Sequence, residues 1–376
     1  MRITAVRNRL MRVERQNWHF VEVETDDGLV GVGEASVEWR ERAVAAAVDE
    51  LATMLIGEDP NPIEHHWQRM HRHGFWRGGV ILGSAISGID QALWDLKGKR
   101  LGVPVYDLLG GPTRQRVRLY THVHGATPEA AAEHALELVA QGYSALKLGV
   151  PRAAAAADER SLLRSTVTRV EAVRRAVGDE IDLMLDNHGQ LAPGDAIELG
   201  RALAPFGLLF FEEPVPPDNP EALAKVAAAQ LPVRLATGER LFSKWDFLPV
   251  LHNRLVDVAQ PDICHAGGLT ELRKIAALAE ASYIKIAPHN PNGPVASIAS
   301  VHLAASIPNF LILEIAQQPL REEIQRWGRT IDKGWALLPT RPGLGIELDS
   351  ELIAAHPYAL GSYEPAFYSD GSVADI

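Results

Sequence analysis

A chain of 376 residues, 47% hydrophobic and 23% charged, has room for a barrel-sized domain plus a smaller second one and the balance of an ordinary globular protein. Its formal charge of -11 argues against nucleic acid or an anionic membrane surface as a partner. No apolar stretch approaches membrane-spanning length, the N-terminal MRITAVRNRLMRVERQ carries no hydrophobic signal segment, and the one cysteine, Cys264, excludes an internal disulfide; a cytoplasmic protein acting on a small molecule is expected.

The first predicted element is a β-hairpin, because Val21, Val23 and Thr25 alternate with Glu22 and Glu24 up to Asp26-Asp27-Gly28, after which LVGV resumes. Helical spacing follows in Val44, Val48, Leu51 and Leu55, which stop at Gly57, and again in Ile86, Ile89, Leu93 and Leu96. Strands followed by a helical block predict an α+β capping domain over residues 1–115, with Gly110-Gly111-Pro112 as the linker out of it. VRLYTHV at 117–123 opens the next region. There, short apolar runs recur, each closed by a polar residue: Lys147, Asp186, Glu212, Glu239, Asp262, His289 and Glu314. After a longer first step these fall roughly 25 residues apart, the room needed for one strand, one helix and two loops, so residues 116–338 read as a βα repeat. The runs LLFF, VDVAQP, IKIAP and FLIL are mostly apolar, as parallel strands buried on both faces should be. The alanines at 153–157 read as helix within the longest unit, and REEIQRWG after Glu314 reads as another helix. PTRPGLGIELD then breaks the rhythm, and the tail, 339–376, is expected to pack back on the capping domain.

Successive βα units turning in one hand close into a barrel with its active site at the C-terminal strand ends, so all seven polar residues are expected to face one cavity. One Asp or Glu after a strand is ordinarily a helix cap or a solvated charge; seven at one rhythm are poorly explained that way. Asp186, Glu212 and Glu239, repeated at nearly equal intervals, suggest a hard-metal site, and carboxylates without cysteine or histidine suit Mg2+ most simply. Strand alternation turns Glu213 away from the cavity and carries His188 to the side of Asp186. Cys264 is expected as a packed thiol, and Trp18, Trp76 and Arg77 are candidate specificity contacts from the lid, with lid core as the alternative for the two tryptophans.

The order Lys, Asp-x-His, Glu-Glu-Pro, Gly-Glu, Gln-Pro-Asp, His and Glu at successive strand ends resembles the enolase superfamily in its mandelate-racemase-like branch. SGIDQALWDLKGK at 87–99 and GFWRGG at 74–79 resemble that family's capping domain, and LDNHG, TGERLFSKWDF, QPDICHAGGLTE, APHNPNGP and RPGLGIELD are similar to its D-galactonate dehydratases. The resemblance implies a modified TIM barrel, (β/α)7β, with an α+β N-terminal capping domain completed by the C-terminal tail, in a symmetric homo-oligomer. It implies Mg2+ held by Asp186, Glu212 and Glu239, a substrate carboxylate bound by Lys147, and Glu314 hydrogen-bonding the reacting group. Racemases of the branch carry a second lysine two positions after the first, where this chain has Gly149, which cannot take a proton. His289 is then the implied base, Asp262 bonds its ring and raises its basicity, and His188 protonates a leaving hydroxyl as its counterpart does in the dehydratases. The implied reaction is dehydration of an anionic sugar acid, an aldonate with D-galactonate first, to a 2-keto-3-deoxy acid. Epimerisation or cycloisomerisation through the same enediolate and a non-catalytic metal-binding relative are the alternatives. Asn187, where the dehydratases carry an aromatic residue, Asn290 and Asn292 after His289, and the LEIAQQ stretch around Glu314 depart from the family pattern. The loop changes bear on which hydroxyl stereochemistry is accepted.

Overall fold

The computed structural model describes residues 1–151, 159–325, 331–361, 365–368 and 370–375. At the N-terminus β1 (Ile3–Val13), β2 (Gln16–Thr25) and β3 (Val30–Glu34) form an antiparallel sheet in that order. The predicted hairpin joins β2 to β3, and β1 is a strand that sequence patterning did not single out. Its arginines hide the alternation: Ile3, Met11 and Val13 are buried, while Arg7 and Arg9 reach across to Glu24 and Glu22 at 2.5 and 2.8 Å. Three helices follow, α1 (Glu41–Ala52), α2 (Ile63–His73) and α3 (Gly79–Leu101), of which the first and third match the predicted spacing. β3 lies so close on α3 that a Cβ at Gly33 would stand 2.0 Å from the carbonyl oxygen of Gly88. The GVGE stretch is therefore set by packing rather than by a turn.

A short helix α4 (Val105–Leu108) leads into the barrel. Its strands and helices alternate as β4 (Arg116–Val123), α5 (Pro128–Ala140), β5 (Ala145–Gly149), α6 (Glu159–Val177), β6 (Asp182–Asp186) and α7 (Pro193–Ala202). They continue as β7 (Phe210–Glu212), α8 (Pro220–Ala228), β8 (Leu235–Thr237), α9 (Lys244–His252), β9 (Val258–Ala259), α10 (Gly268–Ala281), β10 (Lys285–Ile286), α11 (Pro294–Ser306) and β11 (Leu313–Glu314). β4 to β10 pair in parallel in chain order, β11 pairs with β4, and a bridge from Ile286 to Phe310 spans the remaining gap. This is the (β/α)7β barrel. Its interior is filled by Tyr120, Ala145, Met184, Phe210, Ala236, Val258, Ala287 and Ile312, a buried layer with one residue from each strand region. Because side chains repeat every second residue, the next layer towards the C-terminal ends falls on His122, Lys147, Asp186, Glu212, Gln260, His289 and Glu314.

One expectation for the end of the chain needs correction. Arg321–Gln325 form turns rather than the predicted helix, because the buried Arg321 guanidinium is drawn onto Ser297 Oγ at 2.6 Å, Asn292 O at 2.5 Å and Gln318 Oε1 at 2.9 Å; the remainder of REEIQRWG lies outside the described residues. An unpredicted hairpin, β12 (Ile331–Asp332) and β13 (Trp335–Leu337), then adds antiparallel to β4. The alanine run at 153–157 also lies outside the described residues. The tail, with α12 (Ser350–Ala355), returns to the N-terminal sheet: Leu344 N donates to Asp95 at 2.7 Å, Arg12 N to His356 O at 2.8 Å, and Asn17 Nδ2 to Ala359 O at 3.0 Å. No described helix is long and apolar enough to cross a membrane.

Candidate active site and metal centre

The layer above the barrel core is almost wholly ionisable. Lys147 Nζ lies 3.0 Å from Asp186, 3.1 Å from Glu212 and 2.8 Å from Glu314. Burial works against its charge, but those three carboxylates outweigh it and hold the ammonium well above the ordinary lysine range. Burial presses the Glu212 carboxyl the other way, reinforced by Asp186, so it is pushed well above the carboxylate range despite Lys147. Asp186 is also opposed by burial, yet Lys147 and His188 keep it ionised. One ammonium thus faces more negative charge than it can neutralise.

Oxygen atoms of Asp186, Glu212 and Glu239 lie within 4.8 Å of one another. Three converging carboxylates, two of them buried, with a surplus of negative charge and no sulfur among them, fit a hard divalent cation. Asp186 and Glu212 close adjacent paired strands, and Glu239 follows β8 one residue beyond the turn at Gly238.

Two histidines flank this cluster. His289 Nδ1 is 2.7 Å from Asp262 Oδ2, which leaves Nε2 facing Glu239 at 3.2 Å. Burial disfavours the imidazolium, but Glu239, Glu314 and Asp262 together raise the His289 pKa well above its usual value. Asp262 is itself anchored by Asn292 Nδ2 at 2.9 Å and Cys264 N at 2.6 Å, so the ring orientation is fixed from behind. His188 Nε2 lies 3.1 Å from Asp186, and that carboxylate raises its pKa to about 9. The ring is half exposed, so water screens part of this attraction. His188 reaches the metal side by a different route from the one expected: β6 ends at Asp186, and a left-handed backbone at His188, φ 49°, rather than strand alternation, returns the ring to Asp186.

Of the eight residues proposed from the sequence, Lys147, Asp186, His188, Glu239, His289 and Glu314 line one cavity of about 1010 Å³. Glu212 and Asp262 do not line it. Both are fully buried just beneath it, so five of the seven strand-end residues line the cavity itself, while Glu212 still brings a carboxylate oxygen within 4.8 Å of those of Asp186 and Glu239 and Asp262 holds the His289 ring at 2.7 Å. Glu213 turns away as expected and pairs with Arg240 at 2.6 Å; Cys264 is a buried thiol pushed upward by burial, and Asn187 donates to the carbonyls of Glu213 and Pro214. None of the three lid candidates lines this cavity, and Trp18 takes the core alternative. Trp18 is core beside Phe20, Trp76 is 80% exposed, and Arg77 lines a separate cleft with Trp67, His71 and Trp245. The cap instead contributes Val37, Glu38, Trp39 and Val80.

Sequence reasoning missed His122, which stands 2.5 Å from Glu314, although its place two residues after Tyr120 repeats the relation of Lys147 to Ala145. His265, 3.6 Å from Asp262 and 3.0 Å from Ser84 of α3, was missed too, because it follows a two-residue strand on a turn where period-2 reasoning ends.

Two family models cover most of the chain: the mandelate racemase / muconate lactonizing enzyme N-terminal domain over residues 3–110 and the enolase C-terminal domain-like family over 130–352. The chain belongs to the mandelate racemase/muconate lactonizing enzyme branch of the enolase superfamily and is an enzyme of the hydro-lyase class. Among its relatives, a D-galactonate dehydratase of Ralstonia nicotianae is 40% identical over 368 residues, covering 95% of this chain and 96% of the relative. A D-galactonate dehydratase of Xanthomonas axonopodis pv. citri is 41% identical over 369 residues with the same coverage. Among solved structures, an enolase from Agrobacterium radiobacter bound to sodium and L-malate superposes with a TM-score of 0.93 at 33% identity, with both chains fully covered. A mandelate racemase/muconate lactonizing enzyme from Sulfitobacter sp. gives 0.91 at 36% identity, again over both whole chains.

Proposed function

We propose that the enzyme is a Mg2+-dependent acid-sugar dehydratase that removes the C2 proton of an aldonate, D-galactonate being the first to test, and eliminates the C3 hydroxyl to give a 2-keto-3-deoxy acid. The observation that carries this reading is the placement of two histidines against one carboxylate cluster, His289 at 3.2 Å from Glu239 and His188 at 3.1 Å from Asp186, with neither beside a second lysine. Full-length relatives named D-galactonate dehydratase at about 40% identity support it.

Mg2+ held by Asp186, Glu212 and Glu239 would supply electrophilic stabilisation of the charge that builds on the substrate carboxylate as C2 is deprotonated. Lys147, kept cationic by its three carboxylate neighbours, adds a hydrogen-bonding charge to the same carboxylate. Glu314, which accepts the Asn290 N–H at 3.1 Å, sits against Lys147 and fixes the position of its ammonium. His289 takes the C2 proton on Nε2, while Asp262 holds Nδ1 and stabilises the imidazolium that results. His188 delivers a proton to the departing C3 hydroxyl, and the enol product ketonises. Gly149 has no atom to protonate C2 from the opposite side, and a Cβ there would meet nothing within 4 Å, so open space occupies that part of the cavity wall.

The test is formation of 2-keto acid from a panel of sugar acids with Mg2+. D-Galactonate or a stereoisomer should yield keto acid, and isomer formation without keto acid would sink the dehydratase reading. His188→Asn should lose dehydration while retaining solvent exchange at C2; unchanged dehydration in that variant removes His188 as the acid.

A further inference from the structure

His188 sits in a backbone conformation that residues other than glycine rarely adopt, with φ 49°. Its ring is half exposed, so the direction in which Nε2 points is set from the backbone side rather than by close packing. The next strand end repeats the irregularity: Glu213, directly after Glu212, has φ 40°. The two left-handed residues are tied to one another, because Gly189 N donates to Glu213 O at 2.9 Å and Asn187 Nδ2 donates to the same carbonyl at 3.2 Å. Arg240 closes this arrangement from the third strand end. Its Nε and Nη2 hold the buried Glu213 carboxylate as a fork, at 3.0 and 2.6 Å, and Nη2 also donates to His188 O at 3.0 Å. The approach is close: a Cβ at Gly189 would stand 2.5 Å from Arg240 Nη2 and would push the guanidinium off that carbonyl. Arg174 also bonds carbonyls, those of Phe206, Gly178 and Ile181, but these residues lie away from the cavity. Arg240 lines the cavity and directly follows Glu239, so one side chain joins the loops after β6, β7 and β8.

We infer that Arg240 is a positioning residue for the acid: by binding the Glu213 carboxylate and His188 O together, it holds the left-handed turn that aims the His188 ring at Asp186 and at the leaving hydroxyl. This rests on the reading of His188 as the group that protonates the C3 hydroxyl. Arg240 itself transfers no proton. Without the fork, the turn at His188 relaxes towards the backbone that L-residues favour, and the ring swings away from Asp186. The C2 proton goes to His289, whose ring is held by Asp262 and, behind it, Asn292, on other loops, so the loss falls on elimination and spares abstraction. A lysine at this position keeps the charge but presents a single point where the guanidinium presents a fork.

The experiment incubates D-galactonate with the full-length protein and Mg2+ in deuterated water and reads, in one sample, deuterium at C2 of recovered substrate and 2-keto acid formed. Arg240→Gln should raise the ratio of exchange to keto acid by about tenfold or more over wild type, while total C2 deprotonation stays within about threefold. A loss of folded protein or of bound Mg2+ lowers both readouts together and leaves the ratio where it was. Arg240→Lys should raise the ratio as Arg240→Gln does; a lysine that keeps the wild-type ratio overturns the inference in favour of charge alone. The double variant His188→Asn/Arg240→Gln should match the residual dehydration of His188→Asn, because Arg240 acts through His188. An unchanged ratio in Arg240→Gln, or a double variant slower than His188→Asn by the full effect of Arg240→Gln, overturns the inference. Where Arg240→Gln does not fold, Arg240→Lys carries the same ratio and the same double variant. If wild type does not turn over D-galactonate, or His188→Asn dehydrates it unchanged, the reading of the site is what fails. The inference is then decided by the crystal structure of Arg240→Gln with Mg2+: a His188 ring turned away from Asp186 upholds it, and a ring left in place overturns it.

Discussion

Glu34 and Glu212 are both fully buried glutamates that end a β-strand, and they do opposite things. Glu34 closes β3 of the cap and reaches into the barrel, where it accepts N–H bonds from Gly293 at 2.6 Å and Ala296 at 2.9 Å at the start of α11, and the Ser36 hydroxyl at 2.7 Å. Its charge is met by the exposed amides of a helix N-terminus, so it welds two domains. Asp90 does the same at the start of α10 through Thr270 N at 3.0 Å, and Asp95 accepts from Val32 N and Leu344 N while pairing with Lys99 at 2.7 Å. Among the described residues the Glu212 carboxylate accepts only from Lys147, a donor it shares with Asp186 and Glu314. A carboxylate satisfied by backbone is structural. One left to compete for a single ammonium beneath an open cavity is poised for a cation.

Three variants sharpen or break this contrast. Glu212→Gln removes one of the three proposed cation ligands and should lower kcat/KM by on the order of 10³-fold or more, with loss of Mg2+ binding by calorimetry. Its metal-free stability to urea should hold or rise, since the carboxylate is buried beside Asp186, Glu314 and Glu239. A metal-free unfolding midpoint that fell as far as in the cap variant below would erase the distinction. Glu34→Gln should do the reverse: an amide cannot satisfy both the Gly293 and Ala296 N–H groups, so stability should fall by about 2–3 kcal/mol in urea melts while activity per folded molecule changes by less than about tenfold. Activity lost in parallel with Mg2+ affinity would mean that Glu34 belongs to the site.

The smallest effect concerns the joint between linker, barrel and tail. His302 of α11 accepts the Tyr106 N–H on Nδ1 at 3.0 Å and donates to Leu344 O from Nε2 at 3.1 Å, so it is held neutral, and burial lowers its pKa to about 4. The unfolded chain binds this proton more readily, near pH 6.5. Its contribution is therefore complete above that pH and lost as pH falls towards 4, by about 2 kcal/mol between pH 7 and pH 5. His302→Gln should abolish that increment of pH dependence relative to wild type; identical pH slopes would show that His302 is not held neutral.

These particular residues also show what was legible in the sequence. Glu212 and Glu34 have the same local signature, an apolar strand closed by an acid, and what distinguishes them in the sequence is the βα rhythm to which only Glu212 belongs. The barrel, the proposed cation ligands and both site histidines follow from that rhythm and from the motifs of the family. His122 was readable by the same alternation, from Tyr120, and was missed because β4 was treated as the start of the barrel rather than as a contributor to its mouth. Arg169 could not be found that way, since it lies mid-helix on α6 and reaches the cavity only because its side chain crosses to Gly125 O. Glu38 and Trp39 enter from a cap loop whose approach to the barrel is a tertiary matter. The β1 strand was obscured by arginines that find partners only across the sheet, and the turn at Arg321 by a guanidinium that packs inward against helical propensity.

The central claim is that His289 draws the C2 proton while His188 serves the leaving group. It is tested most directly by incubating wild type, His289→Asn and His188→Asn with D-galactonate and Mg2+ in deuterated water and following C2 by NMR. Deuterium at C2 of recovered substrate in His188→Asn, with none in His289→Asn, is the predicted result. Exchange that persists in His289→Asn would contradict it.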